Sequence, residues 1–228
     1  MNVEFVAATR SDQKGFWEQT ALGLSLRRLA FDLRVISNIA FSNTVALGEV
    51  YNRRILAPEA GDILVFAHDD VWVDDFFVAD HVAEGLKHFD VVGVVGNRRR
   101  VPAQPAWSFV DRGPDGKLRW DDPANLSGSV AHGVMPFGPV TRFGDAGPCE
   151  LLDGVLLAAR RSRLAETGVL FDPLFRFHLY DMDFCRTARE KGLSLGTWQL
   201  AITHQSGGHF GVGEWNRMYA AYLEKWRD

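Results

Sequence analysis

A chain of 228 residues, 46% hydrophobic and 24% charged, has room for a sizeable core without disulfides or a structural metal. Its 25 basic and 29 acidic residues leave a net charge of −4, which excludes a sequence-independent nucleic-acid binder, since such proteins carry a basic excess. Cys149 and Cys185 fit neither a disulfide framework nor zinc spacing and read as small core residues of a reducing compartment.

In chain order, Val3–Ala8 reads as a short buried strand and the stretch from about Asp12 to Leu29 as a helix. Asp32–Ser37 is a second strand. Leu47, Val50, Tyr51, Arg54 and Ile55 recur at helical spacing, with Ser42 or Asn43 offering the N-cap. Asp62–Ala67 is a third strand, Val78, Val82, Gly85 and Phe89 mark one face of the next helix, and Asp90–Gly96 is a fourth strand. Strands and helices alternating in this way predict an α/β protein with a mostly parallel, Rossmann-like sheet. Ligands of such sheets collect at the carboxyl ends of the strands.

From Asn97 to Pro148 the apolar pattern breaks up, and this span is expected to be irregular apart from a hairpin around Pro114-Asp115-Gly116. CELLDGVLLAARR restores a strand, broken at Asp153-Gly154. FHLYDMDFCRTAREKG runs from loop into a helix that stops at Gly192, and LSLGTWQLAITHQSGG is a strand ending in His204, with Gly207-Gly208 behind it. In the tail, Trp215, Met218, Tyr219, Tyr222, Leu223 and Trp226 stripe a helix expected to pack on the body. The first ten residues lack a signal sequence and no run approaches the ~18 apolar residues of a membrane span, so the expected location is cytoplasmic; a peripheral membrane contact stays open.

The chemistry-bearing residues fall into clusters. HDD, His68-Asp69-Asp70, ends the third strand, Asp181 and Asp183 open a helix, and His204 ends a late strand. Taken singly, each has an ordinary reading: acids cap helix starts, and a strand-end His is often structural. Asp181 and Asp183, two apart, point to different helical faces, so both cannot serve one solvated stripe. Carboxylates with imidazole suit a divalent ion, whose remaining positions phosphate oxygens can fill.

Taken in order, these pieces resemble the family 2 glycosyltransferases of the GT-A fold, in particular small bacterial sugar transferases related to those of streptomycin biosynthesis. The resemblance rests on NTVALGEVYNRRILAPEAGDILVFAHDDVWV, LLDGVLLAARRSRL, FDPLFRFHLYDMDFCRTAREKGLSL and ITHQSGG. It implies a single GT-A-type domain over 1–228, with a nucleotide-sugar-binding half over 1–96 and an acceptor-side, catalytic half over 97–228. It implies a UDP-, GDP- or dTDP-sugar donor, a glycan, lipid-linked or small-molecule acceptor, and Mn²⁺ or Mg²⁺ as cofactor. By position, Asp70 and His204 are the implied metal ligands, and Thr9, Arg10, His68, Asp69, Asp153 and Gly154 line the donor. Asp181 takes the place of the catalytic acid that deprotonates the acceptor hydroxyl, and Asp183 that of a second acid in the same catalytic segment, in a structural or helix-start role. Two positions depart from the pattern: His68 stands where the metal motif has its first acid, and Tyr180 stands where a Glu commonly precedes the catalytic acid. Core or hairpin packing is the ordinary reading of Trp107, Phe109, Trp120 and Phe137, which are also candidates to stack on sugar faces. A metal-dependent nucleotidyl transferase or phosphohydrolase, or a non-catalytic glycan- or partner-binding module, is the alternative reading.

Overall fold

A computed structural model describes residues 1–113, 115–207, 210–211 and 213–228. The strands are β1 (Val3–Ala8), β2 (Val35–Ala40), β3 (Ile63–Ala67), β4 (Val71–Val73), β5 (Val91–Gly93), β6 (Val95–Asn97), β7 (Phe109–Arg112), β8 (Leu118–Trp120), β9 (Leu126–His132), β10 (Val140–Gly144), β11 (Pro148–Cys149), β12 (Leu151–Leu152), β13 (Leu156–Arg160), β14 (Leu195–Thr197) and β15 (Ile202–His204). The helices are α1 (Gln13–Gln19), α2 (Ala21–Arg28), α3 (Leu47–Leu56), α4 (Val78–Gly85), α5 (Arg161–Thr167), α6 (Tyr180–Glu190) and α7 (Gly213–Trp226).

One sheet runs β11-β14-β5-β13-β3-β1-β2. β1 pairs in parallel with β2 and β3, and β14 in parallel with β5. β13 lies antiparallel between β3 and β5, so the sheet is mixed but dominated by one direction. Its central strands are sealed on both faces: every residue of β3, and all but the last of β1, is buried. That explains their unbroken apolar runs.

A second sheet, β12-β6-β9-β15-β4 with β10 on β9, was not expected. It forms because the chain steps from one sheet to the other within stretches the sequence presents as continuous. The expected strand over Asp90–Gly96 is two strands, β5 in the first sheet and β6 in the second. β3 and β4 divide in the same way around His68-Asp69-Asp70, β12 and β13 around Asp153-Gly154, and β14 and β15 across Trp198–Ala201. The span from Asn97 to Pro148 is correspondingly less irregular than expected, since it supplies β9, the middle strand of the second sheet.

Two helix boundaries also differ. The expected helix from Asp12 to Leu29 breaks at Thr20, whose backbone is extended and whose hydroxyl donates to Phe16 O and accepts from Gly23 N, closing α1 and capping α2. Helix α3 starts only at Leu47, with the Glu49 carboxylate accepting from Ala46 N, so neither Ser42 nor Asn43 is its cap. The hairpin of β7 and β8 is present, although Pro114 of its turn lies outside the described residues. In α7, Trp215 and Tyr222 are buried, and the striped face packs against the body. Both cysteines are free and buried. Among the described residues no helix is long and apolar enough to cross a membrane.

Candidate active site

Strand register brings the three chemical clusters together. In the β4–β15 pair His204 lies opposite Val71, so Asp70, one residue earlier, stands beside His204, and Gln205 N donates to Asp70 O at 3.0 Å. In the β3–β13 pair Leu156 lies opposite Ala67, which sets Asp153-Gly154 beside the HDD segment; His68 N donates to Val155 O at 3.3 Å. Gly154 in turn ties both clusters to the start of α6. Its N–H donates to Asp181 Oδ2 at 3.0 Å and its carbonyl accepts from the Tyr180 hydroxyl at 2.7 Å. A Cβ at position 154 would lie 2.3 Å from the Tyr180 oxygen and 3.0 Å from Asp181 Cβ, so only glycine permits this approach. The residues converge on a cavity of about 340 Å³.

His68, Asp70 and His204 each offer a ligand atom, and these atoms lie within 4.8 Å of one another. His68 Nδ1 is 4.0 Å and His204 Nε2 3.4 Å from Asp70 Oδ1. That oxygen is buried, makes no hydrogen bond and faces both imidazoles, which leaves it available as a ligand atom. The His68 tautomer follows from its neighbour. The Tyr180 hydroxyl gives its only proton to Gly154 O, so at its 2.7 Å contact with His68 Nε2 it accepts from an Nε2–H. The lone pair therefore sits on Nδ1, facing Asp70, with a second partner fixing the ring as ligating imidazoles require. Burial pushes the His68 pKa down and so favours the neutral, ligating form. Although burial opposes ionisation of Asp70, the His204 contact wins and holds its pKa down to about 2. Against the effect of burial, Asp70 pushes the His204 pKa up, so binding of an ion displaces a proton from His204; two imidazoles and one ionised carboxylate then fit a divalent first-row ion.

Asp181 is the second chemical group of the cavity. Its Oδ1 accepts from Met182 N and its Oδ2 from Gly154 N, which fixes the carboxylate. Burial first, and then the charge of nearby Asp153, push its pKa up to about 7. Asp153 is held by Val155 N on one oxygen and by the Trp107 indole N–H on the other. A carboxylate that titrates near neutrality, across a cavity from a cluster of metal-ligand type, is equipped to remove a proton from a bound hydroxyl.

The structure therefore brings His68, Asp69, Asp70, Asp153, Gly154, Asp181 and His204 to one cavity. It does not bring Thr9, Arg10 or Asp183 there. Thr9 is buried at the end of β1, where its hydroxyl accepts from Ser11 N and shapes a turn, and Arg10 beside it is exposed. Asp183 faces the opposite way from Asp181. It is fully buried and binds Lys225 Nζ at 2.7 Å and Trp226 Nε1 at 2.9 Å, so it fastens α7 to the body and is not a second catalytic acid. Phe137 lines a separate groove of about 820 Å³. Trp107, Phe109 and Trp120 do border the cavity, joined by Phe143, Phe177, Phe210 and Trp215, which sequence reasoning did not single out. The three consecutive arginines after β6 are all engaged away from the cavity: Arg98 donates to Asp145 O, Arg99 pairs with Asp121 and Arg100 with Asp228.

The fold is that of the GT-A glycosyltransferases. It is similar to the catalytic domain of Drosophila β1,4-galactosyltransferase 7, solved with xylobiose, at 13% identity and a TM-score of 0.51, covering 96% of this chain and 80% of that one. It is also similar to GalNAc-T7 solved with UDP, GalNAc and Mn²⁺, at 13% identity and a TM-score of 0.52 over 98% of this chain, which spans 48% of that protein. S. aureus TarS 1–349 gives 11% identity and a TM-score of 0.52 over 90% of this chain and 60% of that one. No protein-family model and no curated protein sequence matches the chain.

Proposed function

We propose that the protein is a glycosyltransferase that moves a sugar from a nucleotide-diphosphate donor to an acceptor hydroxyl, with inversion at the anomeric carbon. The family 2 assignment rests on the four ordered segments of the sequence. The observation that carries the activity is the pairing of Asp181 with the His68, Asp70 and His204 cluster in one cavity. In this reading Asp181 accepts the proton of the acceptor hydroxyl, a role in which a positioned base typically contributes ~10²–10⁴-fold. Gly154 N–H and Met182 N–H hold the base in place, while burial and then Asp153 bring its proton affinity near the working range. His68, Asp70 and His204 are the residues to hold Mn²⁺ or Mg²⁺. When bound, the ion supplies Lewis-acid neutralisation of the leaving diphosphate. The two nitrogen donors favour Mn²⁺ over Mg²⁺, which prefers oxygen. The half of the chain before residue 97 provides HDD and is proposed to hold the nucleotide.

Asp181→Asn tests the proposal. It is expected to abolish sugar transfer while UDP with Mn²⁺ still raises the melting temperature. Undiminished turnover in that variant removes Asp181 from the base role. Release of pyrophosphate or inorganic phosphate by the wild type, in place of a nucleoside diphosphate, points instead to a nucleotidyl transferase or phosphohydrolase.

A further inference from the structure

The cavity has a wall that proton transfer does not use. Trp107, anchored by its indole N–H to Asp153, meets Phe143 edge-on at 5.1 Å, and Phe143 stacks on Trp120 at 6.1 Å and 18°. Trp120 lies 4.8 Å from Phe109, which is 5.5 Å from Phe210, itself 6.4 Å from Trp215. Six rings from the 97–125 segment, from β10 and from the start of the tail thus form one ribbon along the cavity. Both of its ends are deep, with Trp107 6% exposed beside Asp153 and Trp215 2% exposed, and it reaches solvent between them, with Trp120 55% and Phe210 37% exposed. Large rings left half in water at the mouth of a cavity contribute little to the core, and their free faces are available to a ligand.

Charge narrows the choice of ligand. Asp69, Asp70, Asp153 and Asp181 border the cavity, and among the described lining residues there is no Lys or Arg. One divalent cation offsets two of those charges and leaves nothing to clamp an acceptor phosphate or carboxylate, for which Arg and Lys are the ordinary partners. The electron-rich faces of the rings attract the polarised C–H face of a pyranose, and the Ser108 and Ser206 hydroxyls beside them suit sugar hydroxyls. An alkyl chain would bring no polar group to the four aspartates that border the cavity.

We propose that the acceptor is an uncharged oligosaccharide. Its units stack along the Trp107–Phe143–Trp120–Phe109 ribbon with a terminal hydroxyl at Asp181, and acceptors carrying carboxylate or phosphate near that end are rejected. The assignment of the reacting end rests on the transferase reading; the binding of the saccharide does not.

The test titrates the intact chain, followed by tryptophan fluorescence. The ligands are neutral trisaccharides of glucose, galactose, xylose and N-acetylglucosamine, the trisaccharides of glucuronic and galacturonic acid, and octanol. At least one neutral trisaccharide is expected to give a saturable change, with the uronic counterparts at least about tenfold weaker. Trp120→Ala is expected to weaken binding by about tenfold and Trp120→Tyr to restore most of it. Because Trp120 is half exposed, its truncation leaves the core intact, and a melting curve for each variant checks this. Failure of every neutral trisaccharide, equal binding of the uronic forms, indifference to Trp120→Ala, or competition by octanol each overturns the inference. UDP with Mn²⁺ titrated into the wild type in parallel reports on the transferase reading by itself, since donor binding does not involve the ribbon.

Discussion

Replacing Asp181 by Asn should change not only turnover but the way stability depends on pH. In the folded protein the Asp181 pKa is pushed from 3.8 up to about 7, by burial and by Asp153. Between those values the folded state holds a proton that the unfolded chain has released, so stability falls as pH rises from about 4 through 7 and levels off above. The full shift of about three units corresponds to about 4 kcal/mol, of which more than half, roughly 2–3 kcal/mol, is lost between pH 5 and pH 8. Asn cannot ionise and removes that slope. It also offers one acceptor oxygen where Asp181 offers two, to Met182 N and Gly154 N, so one buried N–H loses its partner at a cost of about 1–3 kcal/mol. That cost is the same at every pH and displaces the whole curve. The diagnostic quantity is therefore the difference in slope, not the stability at any single pH.

The measurement is urea unfolding of wild type and Asp181→Asn at pH 5, 6, 7 and 8 in EDTA, which keeps metal out of the comparison. The variant is expected to start less stable at pH 5 and to gain on the wild type by roughly 2–3 kcal/mol by pH 8. Transfer by the wild type should rise with pH through about 7, since the base acts when deprotonated. Parallel unfolding curves across this range would show that Asp181 ionises normally, and the physical case for it as a base tuned to neutrality would fall.

Tyr180→Phe removes the acceptor of His68 Nε2–H and frees the ring to change tautomer; Mn²⁺ affinity, read by electron paramagnetic resonance, is expected to drop about 10–100-fold in a chain that still folds. Unchanged affinity would show that Tyr180 does not orient the ligand. Gly154→Ala drives a methyl into the Tyr180 hydroxyl and Asp181 Cβ and should impair metal binding and transfer together, by calorimetry and product assay on the same preparation. Loss of one without the other would break the link this glycine makes between the two clusters. Asp183→Ala, by contrast, strips the buried partner from Lys225 and Trp226; it should destabilise the fold by about 3 kcal/mol in urea and leave Mn²⁺ affinity at the wild-type value.

How much of this was legible in the sequence depended on element length and on what interrupts the apolar pattern. Strands β1 and β3 and the tail helix read correctly because burial on both faces, or on one helical stripe, leaves an unbroken signal. The second sheet did not, because its strands β4, β6, β12 and β15 have only two or three residues and each continues a run that begins or ends in the first sheet. Its middle strand, LSGSVAH, looks like a loop by composition. Gly128 there has a φ of +87°, and a Cβ would lie 2.0 Å from Val94 O, so the glycine that suggests a loop is imposed by the step from β5 to β6 packed against it. The opposed directions of Asp181 and Asp183 could be read from their spacing of two; which of them faces the cavity could not, because that depends on Lys225 and Trp226, more than forty positions away. His68 and Tyr180 were legible only as two separate departures from the pattern the sequence resembles, one at the metal motif and one beside the catalytic acid. In space they are one contact. A histidine that replaces an acid as ligand must stay neutral and present the correct nitrogen. A carboxylate accepting from its far side would favour the charged imidazolium, whereas a buried phenol whose own proton is committed to Gly154 O accepts the Nε2–H without adding charge. Tyrosine at 180 is thus the partner that a neutral histidine at 68 calls for, and the two residues together support the proposed metal site.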